Sequence, residues 1–293
     1  MFRDTSIDYY PKEEVRRLWS ENMSFSDEAL LHMDEVEFRA RVRERSHHTL
    51  EIQVYQAAYR HKTLSETQAN TTKHLLEIWR KRGLPTDAPE YKYASFLISA
   101  AEKLTKGEDV DLTPYKPHTV TKEMEDAFFT IVKERRSVRE FKDKDVPDEI
   151  LDKVLEAGLW AAHGCNVQSI RYLVVKEKDH PGLFKGSDVP GGPIHLVICQ
   201  DMRCYRANCF TPLRNRLLDA GAAGQNIVLA AHAAGLEGVW LTFPNQEFVD
   251  RLKSTFHVPE EVRLVTYVDV GYGDQTPYPP LRPDVKTTIL HRD

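Results

Sequence analysis

The strongest constraint on the fold is a change of sequence pattern near residues 114–121. Before this point apolar residues recur at spacings of three and four, which is typical of packed helices, and strand signals are few. The segments with this pattern are Arg16 to Trp19, Ala29 to Arg45, Leu50 to Tyr59, Thr71 to Arg82 and Tyr91 to Leu104. We therefore predict that residues 1–120 form an all-helical region.

Residues 106–117 are charged and then rich in proline, as expected of a linker. Residues 121–293 mix helix and strand patterns. The predicted helices are Thr121 to Glu134, Pro147 to Ala162, Leu213 to Ala234 and Asn245 to His257. The predicted strands are Arg171 to Lys176, Ile194 to Cys199, Gly238 to Phe243 and Val262 to Val270. Because the two kinds of element do not alternate regularly, an α+β fold fits better than a doubly wound parallel sheet.

Composition excludes several classes of partner. The chain of 293 residues carries 40 Lys and Arg against 45 Asp and Glu, a net charge of −5, so no strongly basic surface is available for nucleic acid or anionic membrane. The first residues do not resemble a secretory signal, and the most apolar stretch, Ile227 to Leu241, is too short to span a bilayer. Four cysteines do not make a disulfide framework in so long a chain. We expect a cytoplasmic protein with reduced thiols.

The densest chemical signal is a basic cluster at a predicted helix end. Arg135, Arg136 and Arg139 lie within five residues and surround Ser137. Guanidinium groups match phosphate oxygens in two-point contacts, and a serine hydroxyl adds a further donor. Charge runs more often lie on solvated faces. The cluster alone therefore leaves a phosphate site and a solvated helix end both open.

Two further segments suit a planar, polar ligand. Asn166 and Gln168 place amide side chains on a turn between a helix and a strand, where they could contact a ring edge or a polyol. Gly221 and Gly224 leave one face of a long helix nearly flat, so that a helix or a planar ligand could approach closely. A tightly packed core helix would have the same pattern.

These motifs together resemble the FMN-dependent nitroreductase superfamily. The order is Arg-Arg-Ser-Val-Arg-x-Phe, Ala-Ala-x-x-x-Asn-x-Gln, Asp-x-Gly-x-Ala-x-Gln-Asn and a late Arg-Pro, and it covers about residues 122–293. The first motif is most similar to iodotyrosine deiodinases and to the flavin-consuming enzyme of benzimidazole synthesis, the flavin-destructase-like branch. The resemblance implies an α+β fold with a mixed sheet flanked by helices, and an intimate homodimer whose FMN sites use both subunits.

The resemblance also implies how a flavin phosphate is held. Arg135, Arg136 and Ser137 fall where the family binds the FMN phosphate, and Arg282 matches a late basic residue that returns to it. Arg139 falls where a cation faces the N1 edge of the ring or the ribityl chain. A cation at the N1 edge stabilises the negative charge of the reduced flavin.

Other positions match the part of the family's site around the flavin ring. Asn166 and Gln168 correspond to the turn that contacts the ribityl chain and the ring. Leu241 and Thr242 end the strand whose backbone N–H groups point at flavin N5 and O4, and Thr242 resembles a hydroxyl donor to N5 in the deiodinase branch. A strand threonine can equally bond locally. His163 is a candidate proton donor beside the ring, or simply a loop residue.

The implied function is an FMN-dependent oxidoreductase. NAD(P)H would reduce the flavin, and a small aromatic, nitro or quinone-like acceptor would take the electrons in a ping-pong cycle. One alternative is a flavoenzyme that oxidises its substrate with oxygen as acceptor or modifies flavin itself; another is a non-catalytic flavin-binding or scaffold protein. Glu177 to Pro193 lacks the substrate clamp of the deiodinases, so a halotyrosine substrate is not expected.

The helical region is a candidate lid. An FMN site needs a cover that shapes the substrate and excludes water, and we hypothesise that helices from residues 10–105 supply it or recruit a partner. Tyr55, Tyr59 and Trp79 are candidate aromatic contacts, although helical packing explains their spacing equally well.

No metal site is expected from the sequence. Glu44 and His47 form one Glu-x-x-His motif, whereas carboxylate-bridged di-iron bundles need two. Cys199, Cys204 and Cys209 are spaced by five, which fits neither a zinc knuckle nor a common iron–sulfur pattern.

Overall fold

A computed structural model of the chain describes Glu13 and residues 25–189, 192–208 and 213–293. The helix pattern at Arg16 to Trp19 and the thiol of Cys209 lie outside the described residues. The N-terminal helices are α1 (Asp27–His32), α2 (Glu35–Arg45), a π-helical turn (Ser46–Glu51), α3 (Ile52–Arg60), α4 (Glu66–Lys81) and α5 (Pro89–Thr105). The described part of the N-terminal region is therefore helical, as its periodicity predicts.

Local sequence signals fix where these helices begin and end. The side chains of Ser26 and Asp34 accept hydrogen bonds from the first turns of α1 and α2, at distances of 3.2 and 3.1 Å. After α4 the chain reverses at Gly83, whose φ of +67° is the left-handed conformation that glycine adopts without a steric penalty. Pro89 occupies the first turn of α5, where its missing N–H is not needed.

The helical region has its own apolar core. Phe38, Leu76 and Trp79 pack together at the centre of α2, α4 and α5, and the Trp79 indole donates to the carbonyl of Pro85 at 3.1 Å. Trp79 is fully buried and is therefore a core residue rather than a ligand contact. Tyr55 is partly buried beside a second apolar cluster, and Tyr59 is exposed.

The C-terminal region contains a sheet and its covering helices. Its helices are α6 (Lys122–Glu134), α7 (Asp148–Leu159), α8 (Leu213–Ala233), α9 (Gln246–Thr255) and α10 (Val285–Thr288). Its strands are β1 (Ile170–Lys176), β2 (Ile194–Asp201), β3 (Glu237–Leu241) and β4 (Val262–Gly271). Short 3₁₀ turns cover Thr113–Tyr115, Gly164–Asn166 and Met202–Asn208.

The four strands pair antiparallel in the order β1-β2-β4-β3. One face of the sheet packs on α7 and α8 through residues such as Leu196 and Ile227, and the other packs on α9 through residues such as Phe248. Central strand β2 is buried along its whole length because both faces are covered. The resemblance implies a mixed sheet. Within the described residues, the parallel pairing consists of one isolated bridge, between Ser137 and Gly238.

This architecture confirms the predicted α+β class. Each strand lies within a residue or two of its predicted bounds, and α7 ends at Leu159 rather than at Ala162. In the part of the chain that the structure describes, no helix is long and apolar enough to cross a bilayer.

The two regions meet along one face of α2. Asp34, Glu37, Arg41 and Glu44 recur at spacings of three and four, so they form a single polar stripe on that helix. The stripe contacts the 3₁₀ turn Met202–Asn208 of the C-terminal region: Arg203 donates to Asp34, Arg41 to the Arg206 carbonyl, and Asn208 to Glu44, at 3.0–3.1 Å. Ala40, Val167 and Tyr205 form a small apolar cluster beside these contacts.

The flat face of α8 is packed rather than open at Gly224. A Cβ at Gly224 would lie 2.7 Å from the Trp240 ring, whereas a Cβ at Gly221 would meet no atom within 4 Å. The Trp240 indole is held in place by a hydrogen bond to Thr266 of 2.6 Å. The glycine pattern therefore reflects, at this position, the approach of a tryptophan from β3.

Replacing Gly224 by alanine should lower the free energy of unfolding by about 1–3 kcal/mol, because the new methyl group forces Trp240 to move. The matched control is Gly221→Ala on the same helix, which should leave stability unchanged or raise it by up to about 1 kcal/mol. Denaturant unfolding measures both. Equal effects of the two variants would contradict the packing described here.

Candidate functional site

The basic cluster lies where α6 gives way to extended chain beside β3. Ser137 forms its parallel bridge with Gly238, and the Val138 N–H donates to the Gly238 carbonyl at 3.2 Å. This pairing anchors the arginines on either side of Ser137 to the sheet. The cluster therefore lies beside the first residues of β3, three residues before Leu241 ends the strand.

Arg135 is surrounded by positive charge. Burial lowers the pKa of its guanidinium below the ordinary arginine value, and the nearby charges of Arg282 and Arg136 lower it further, against an opposing contribution from Glu237. Arg282, far along the chain, thus lies close enough to Arg135 for the two charges to interact. Like charges close together favour the approach of an anion.

The other members of the cluster hold their positions through local hydrogen bonds. Arg136 Nη1 donates to the carbonyls of Lys133 and Arg135, at 2.6 and 2.9 Å. The backbone N–H of Arg139 donates to Gln275 Oε1 at 3.0 Å, and the Arg139 guanidinium reaches the Ser137 carbonyl at 3.4 Å. Arg139 is exposed, so its charge faces solvent or a ligand rather than the protein core.

The turn that carries the two amides has an unusual backbone. Cys165, Asn166 and Gln168 have φ angles of +52°, +51° and +54°, a region that residues other than glycine seldom occupy. Each such residue costs of the order of 1–3 kcal/mol and persists only where surrounding contacts hold it. Gln168 Nε2 donates to Asn166 Oδ1 at 3.0 Å, so the two amides lie side by side.

A buried polar network holds this turn from beneath. Asp219 of α8 accepts the Gly164 N–H at 2.8 Å and the Tyr205 hydroxyl at 2.7 Å. Tyr205 in turn accepts hydrogen bonds from the Ser169 hydroxyl and from Gln200 Nε2, at 2.9 and 2.8 Å. Burial raises the pKa of Tyr205, so the phenol stays protonated and can donate to the carboxylate.

His163 is part of this network. Its Nε2 accepts the Ser169 N–H at 3.1 Å, which fixes the neutral form with the proton on Nδ1. The His163 side chain is only 8 % exposed, and burial lowers the pKa of the imidazole, although Asp219 at 3.4 Å partly opposes the shift. The His163 Nε2 is therefore engaged within the protein in this structure.

The helical region contacts the same turn. Arg43 of α2 donates from Nη2 and Nε to the Val167 carbonyl, at 2.9 and 3.3 Å, and pairs with Glu90 of α5 at 3.4 Å. Burial lowers the pKa of this guanidinium. Sequence analysis did not single out Arg43, Tyr205, Ser169 or Asp219 as site residues. Of these four residues, Asp219 was the nearest to being identified, because it is the first residue of the Asp-x-Gly-x-Ala-x-Gln-Asn motif.

The sequence comparisons agree with this geometry. The profile of the nitroreductase family matches residues 132–185 and 211–272, which include the basic cluster, the amide-bearing turn, α8 and β3. This match confirms, for the C-terminal region, the nitroreductase family expected from the motifs and with it an oxidoreductase.

Curated relatives include members of the nitroreductase family from archaea. A putative NADH dehydrogenase/NAD(P)H nitroreductase of Methanothermobacter thermautotrophicus is 29% identical over 155 residues, which are 50% of this chain and 77% of that protein. A protein of the same description from Archaeoglobus fulgidus is 28% identical, over 47% of this chain and 80% of its own. An iodotyrosine deiodinase of Hydra vulgaris is 31% identical over only 72 residues, 23% of this chain and 26% of that protein.

Solved structures of nitroreductases also align with the chain. A putative nitroreductase from Desulfovibrio desulfuricans, solved in complex with FMN, covers 60% of this chain and 99% of its own at 26% identity, with a TM-score of 0.48.

The state of His163 leads to a prediction about pH. Its pKa is lower in the folded than in the unfolded protein, so its contribution to stability is complete above the unfolded value of about 6.5 and is lost as the pH falls through the folded value. We expect the free energy of unfolding to fall less between about pH 7.5 and 5 in His163→Gln than in the wild type.

Denaturant unfolding across this pH range measures the effect. His118→Gln is the control, since His118 is exposed in the segment before α6 and should leave the pH profile unchanged. Parallel profiles of wild type and His163→Gln would contradict the buried, neutral state of His163.

Proposed function

We propose that the protein binds FMN non-covalently and uses NAD(P)H to reduce a small aromatic, nitro or quinone-like acceptor. The observation that carries this proposal is that the charges of Arg136 and Arg282 both act on Arg135, beside the first residues of β3. Guanidinium groups from both ends of the nitroreductase region suit the phosphate of FMN, whose charge would relieve their mutual repulsion.

The remaining residues fit the other parts of FMN. In this proposal Ser137 adds a hydroxyl donor to the phosphate, and the paired amides of Asn166 and Gln168 contact the ribityl chain and the ring edge. Arg139 supplies a positive charge toward the N1 side. The bound flavin supplies hydride and electron transfer, and the protein supplies binding, orientation and electrostatic tuning.

The end of β3 is the proposed contact with the reactive edge of the flavin. Leu241 pairs with Tyr267 in the sheet, and its carbonyl accepts a hydrogen bond from Thr266, so the strand is rigid up to that residue. Thr242 follows directly and is exposed. We assign Thr242 as the hydroxyl donor toward the flavin and His163 as a positioning residue that holds the amide-bearing turn.

Large exposed apolar surfaces support a homodimer. On α6, Met124, Phe128, Phe129 and Val132 are all exposed, although the helix is amphipathic and needs a partner for its apolar face. Trp160 after α7 and Leu281 in the C-terminal segment are about four-fifths exposed. We propose that a second copy of the chain covers these surfaces and completes the FMN site.

The names of the curated relatives support NAD(P)H as the electron donor. We further propose that the helical region, residues 1–120, acts as a cover over the amide-bearing turn of its own subunit, because Arg43 already binds the Val167 carbonyl there. A cytoplasmic location is consistent with Cys199 and Cys204, which form no disulfide bond in the described residues.

Replacing Arg135 by glutamine should raise the Kd for FMN by roughly 10- to 100-fold, because a charge-assisted contact to the phosphate is lost. The Kd for riboflavin, which lacks the phosphate, should change little. Fluorescence titration with both flavins measures this difference. Arg251→Gln on α9 is the control and should bind FMN as the wild type does; equal weakening of FMN and riboflavin by Arg135→Gln would rule out a phosphate contact.

The proposed reaction is tested by anaerobic titration of the FMN-loaded protein. NAD(P)H should bleach the flavin absorbance, and a nitroaromatic or quinone added next should restore it. Bleaching by an organic substrate alone would instead indicate an enzyme that passes electrons to oxygen. Failure of nicotinamides and acceptors alike to change the spectrum would indicate a flavin-binding protein without this activity.

A further inference from the structure

We propose that Glu44, His48 and Cys165 form a zinc site that joins the helical region to the amide-bearing turn of the nitroreductase region. Their three ligand atoms, a carboxylate oxygen, an imidazole nitrogen and a thiol sulfur, all lie within 4.8 Å of one another. These ligand types together suit Zn²⁺, which accepts sulfur, nitrogen and oxygen in tetrahedral sites. The inference does not depend on the proposed flavin chemistry.

The distances are compatible with a bound ion after a small closure. Bonds of about 2.0–2.3 Å to a tetrahedral zinc place ligand atoms roughly 3.3–3.8 Å apart, so the group needs to contract by at most about 1.5 Å. His48 is exposed and can rotate to make this adjustment. Glu44 and Cys165 are set by the packing of α2 against the C-terminal region.

Glu44 and His48 lie four residues apart, which places them on one helix face where α2 meets the π-helical turn Ser46–Glu51. Insertions of this kind are frequent at functional sites because they change which side chains share a helix face. His47 turns toward Glu51, with 2.5 Å between its Nδ1 and the carboxylate, and that hydrogen bond raises the pKa of His47. His48 instead lies with Glu44, so the Glu-x-x-His spacing considered in the sequence is not the pair that meets.

The left-handed backbone of the turn creates the arrangement on the other side. Cys165 has a φ of +52°, a conformation that needs support from its surroundings. The turn brings its thiol to the π-helical turn of the other region, more than one hundred residues earlier in the sequence. Strained backbone conformations cluster at functional sites. At Cys165 the strain coincides with three side chains that can each bind a metal ion, which favours a functional role for the turn.

A second layer of contacts orients the ligands. Asn208 Nδ2 donates to Glu44 Oε1 at 3.0 Å and lies 3.2 Å from Cys165 Sγ, so one amide holds both groups in position. Among the described residues, the buried Glu44 Oε2 accepts no hydrogen bond, and it forms an ion pair with Arg45 Nε at 3.0 Å. The Glu44 side chain is 1 % exposed, so a metal ion would share a buried carboxylate with Arg45.

The number of protein ligands and the exposure of His48 indicate the role of the ion. Three protein ligands leave a fourth position on zinc, and the exposure of His48 opens that position to water or to a small polar molecule. The ion links α2 to the turn that carries Asn166. Zinc would therefore stabilise the contact between the two regions of the chain.

The test uses the full chain, treated with a chelator and then titrated with zinc chloride. Elemental analysis should find about one zinc per chain in the wild type. His48→Ala should weaken zinc binding by at least about tenfold. The matched control is His47→Ala, which removes the neighbouring imidazole outside the site and should bind zinc as the wild type does. His48 is exposed, so His48→Ala should fold normally, and its thermal unfolding without metal verifies this.

Two further readouts separate a specific site from weak surface binding. Zinc should raise the unfolding temperature of the wild type and of His47→Ala, but not that of His48→Ala. Cobalt bound in place of zinc should give visible absorption bands at longer wavelengths than the flavin bands. In Cys165→Ser these cobalt bands should lose the contribution of the thiolate ligand. No zinc uptake by the folded wild type, or equal uptake by His47→Ala and His48→Ala, would overturn the proposal. The FMN content, measured on the same samples, reports on the flavin site separately.

Discussion

The carboxylate of Asp219 is the contact on which the site depends. It accepts hydrogen bonds from the Gly164 N–H and the Tyr205 hydroxyl, and it lies 3.4 Å from His163. Burying a carboxylate costs free energy unless its oxygens accept hydrogen bonds. The donors therefore stabilise the negative charge of Asp219, and that charge strengthens their hydrogen bonds. Through them, one residue of α8 fixes the left-handed turn that carries the two amides. The positions of Asn166 and Gln168, the proposed flavin contacts on this turn, therefore depend on this network.

The helical region adds a second support to the same turn. Arg43 binds the Val167 carbonyl, and Asn208 bridges Glu44 and Cys165. The turn therefore lies between α8 on one side and α2 on the other. Because both supports are buried and polar, loss of one partner would leave the other unsatisfied. The helical region thus supports the amide-bearing turn through buried polar contacts.

Much of the fold follows from local sequence signals. Apolar periodicity located α2 to α5, and runs of β-branched and apolar residues located the strands, because these patterns record which face of an element is buried. The sequence also singled out Arg135, Arg136, Arg282, Asn166 and Gln168. It could not assign His163, since the role of a histidine depends on which atoms surround Nε2. It did not identify the packing of the Trp240 ring against Gly224, since that contact joins a helix to a strand.

By itself, the sequence determined the helix and strand pattern, the family of the C-terminal region and the residue types suited to a flavin phosphate. Those properties depend on spacing along the chain, which can be read directly. Only the tertiary structure decided that Arg282 joins Arg135 and that His48, rather than His47, meets Glu44 and Cys165. The physical reason is that charge clustering, burial and ligand geometry depend on distances between residues far apart in sequence, and folding alone sets those distances.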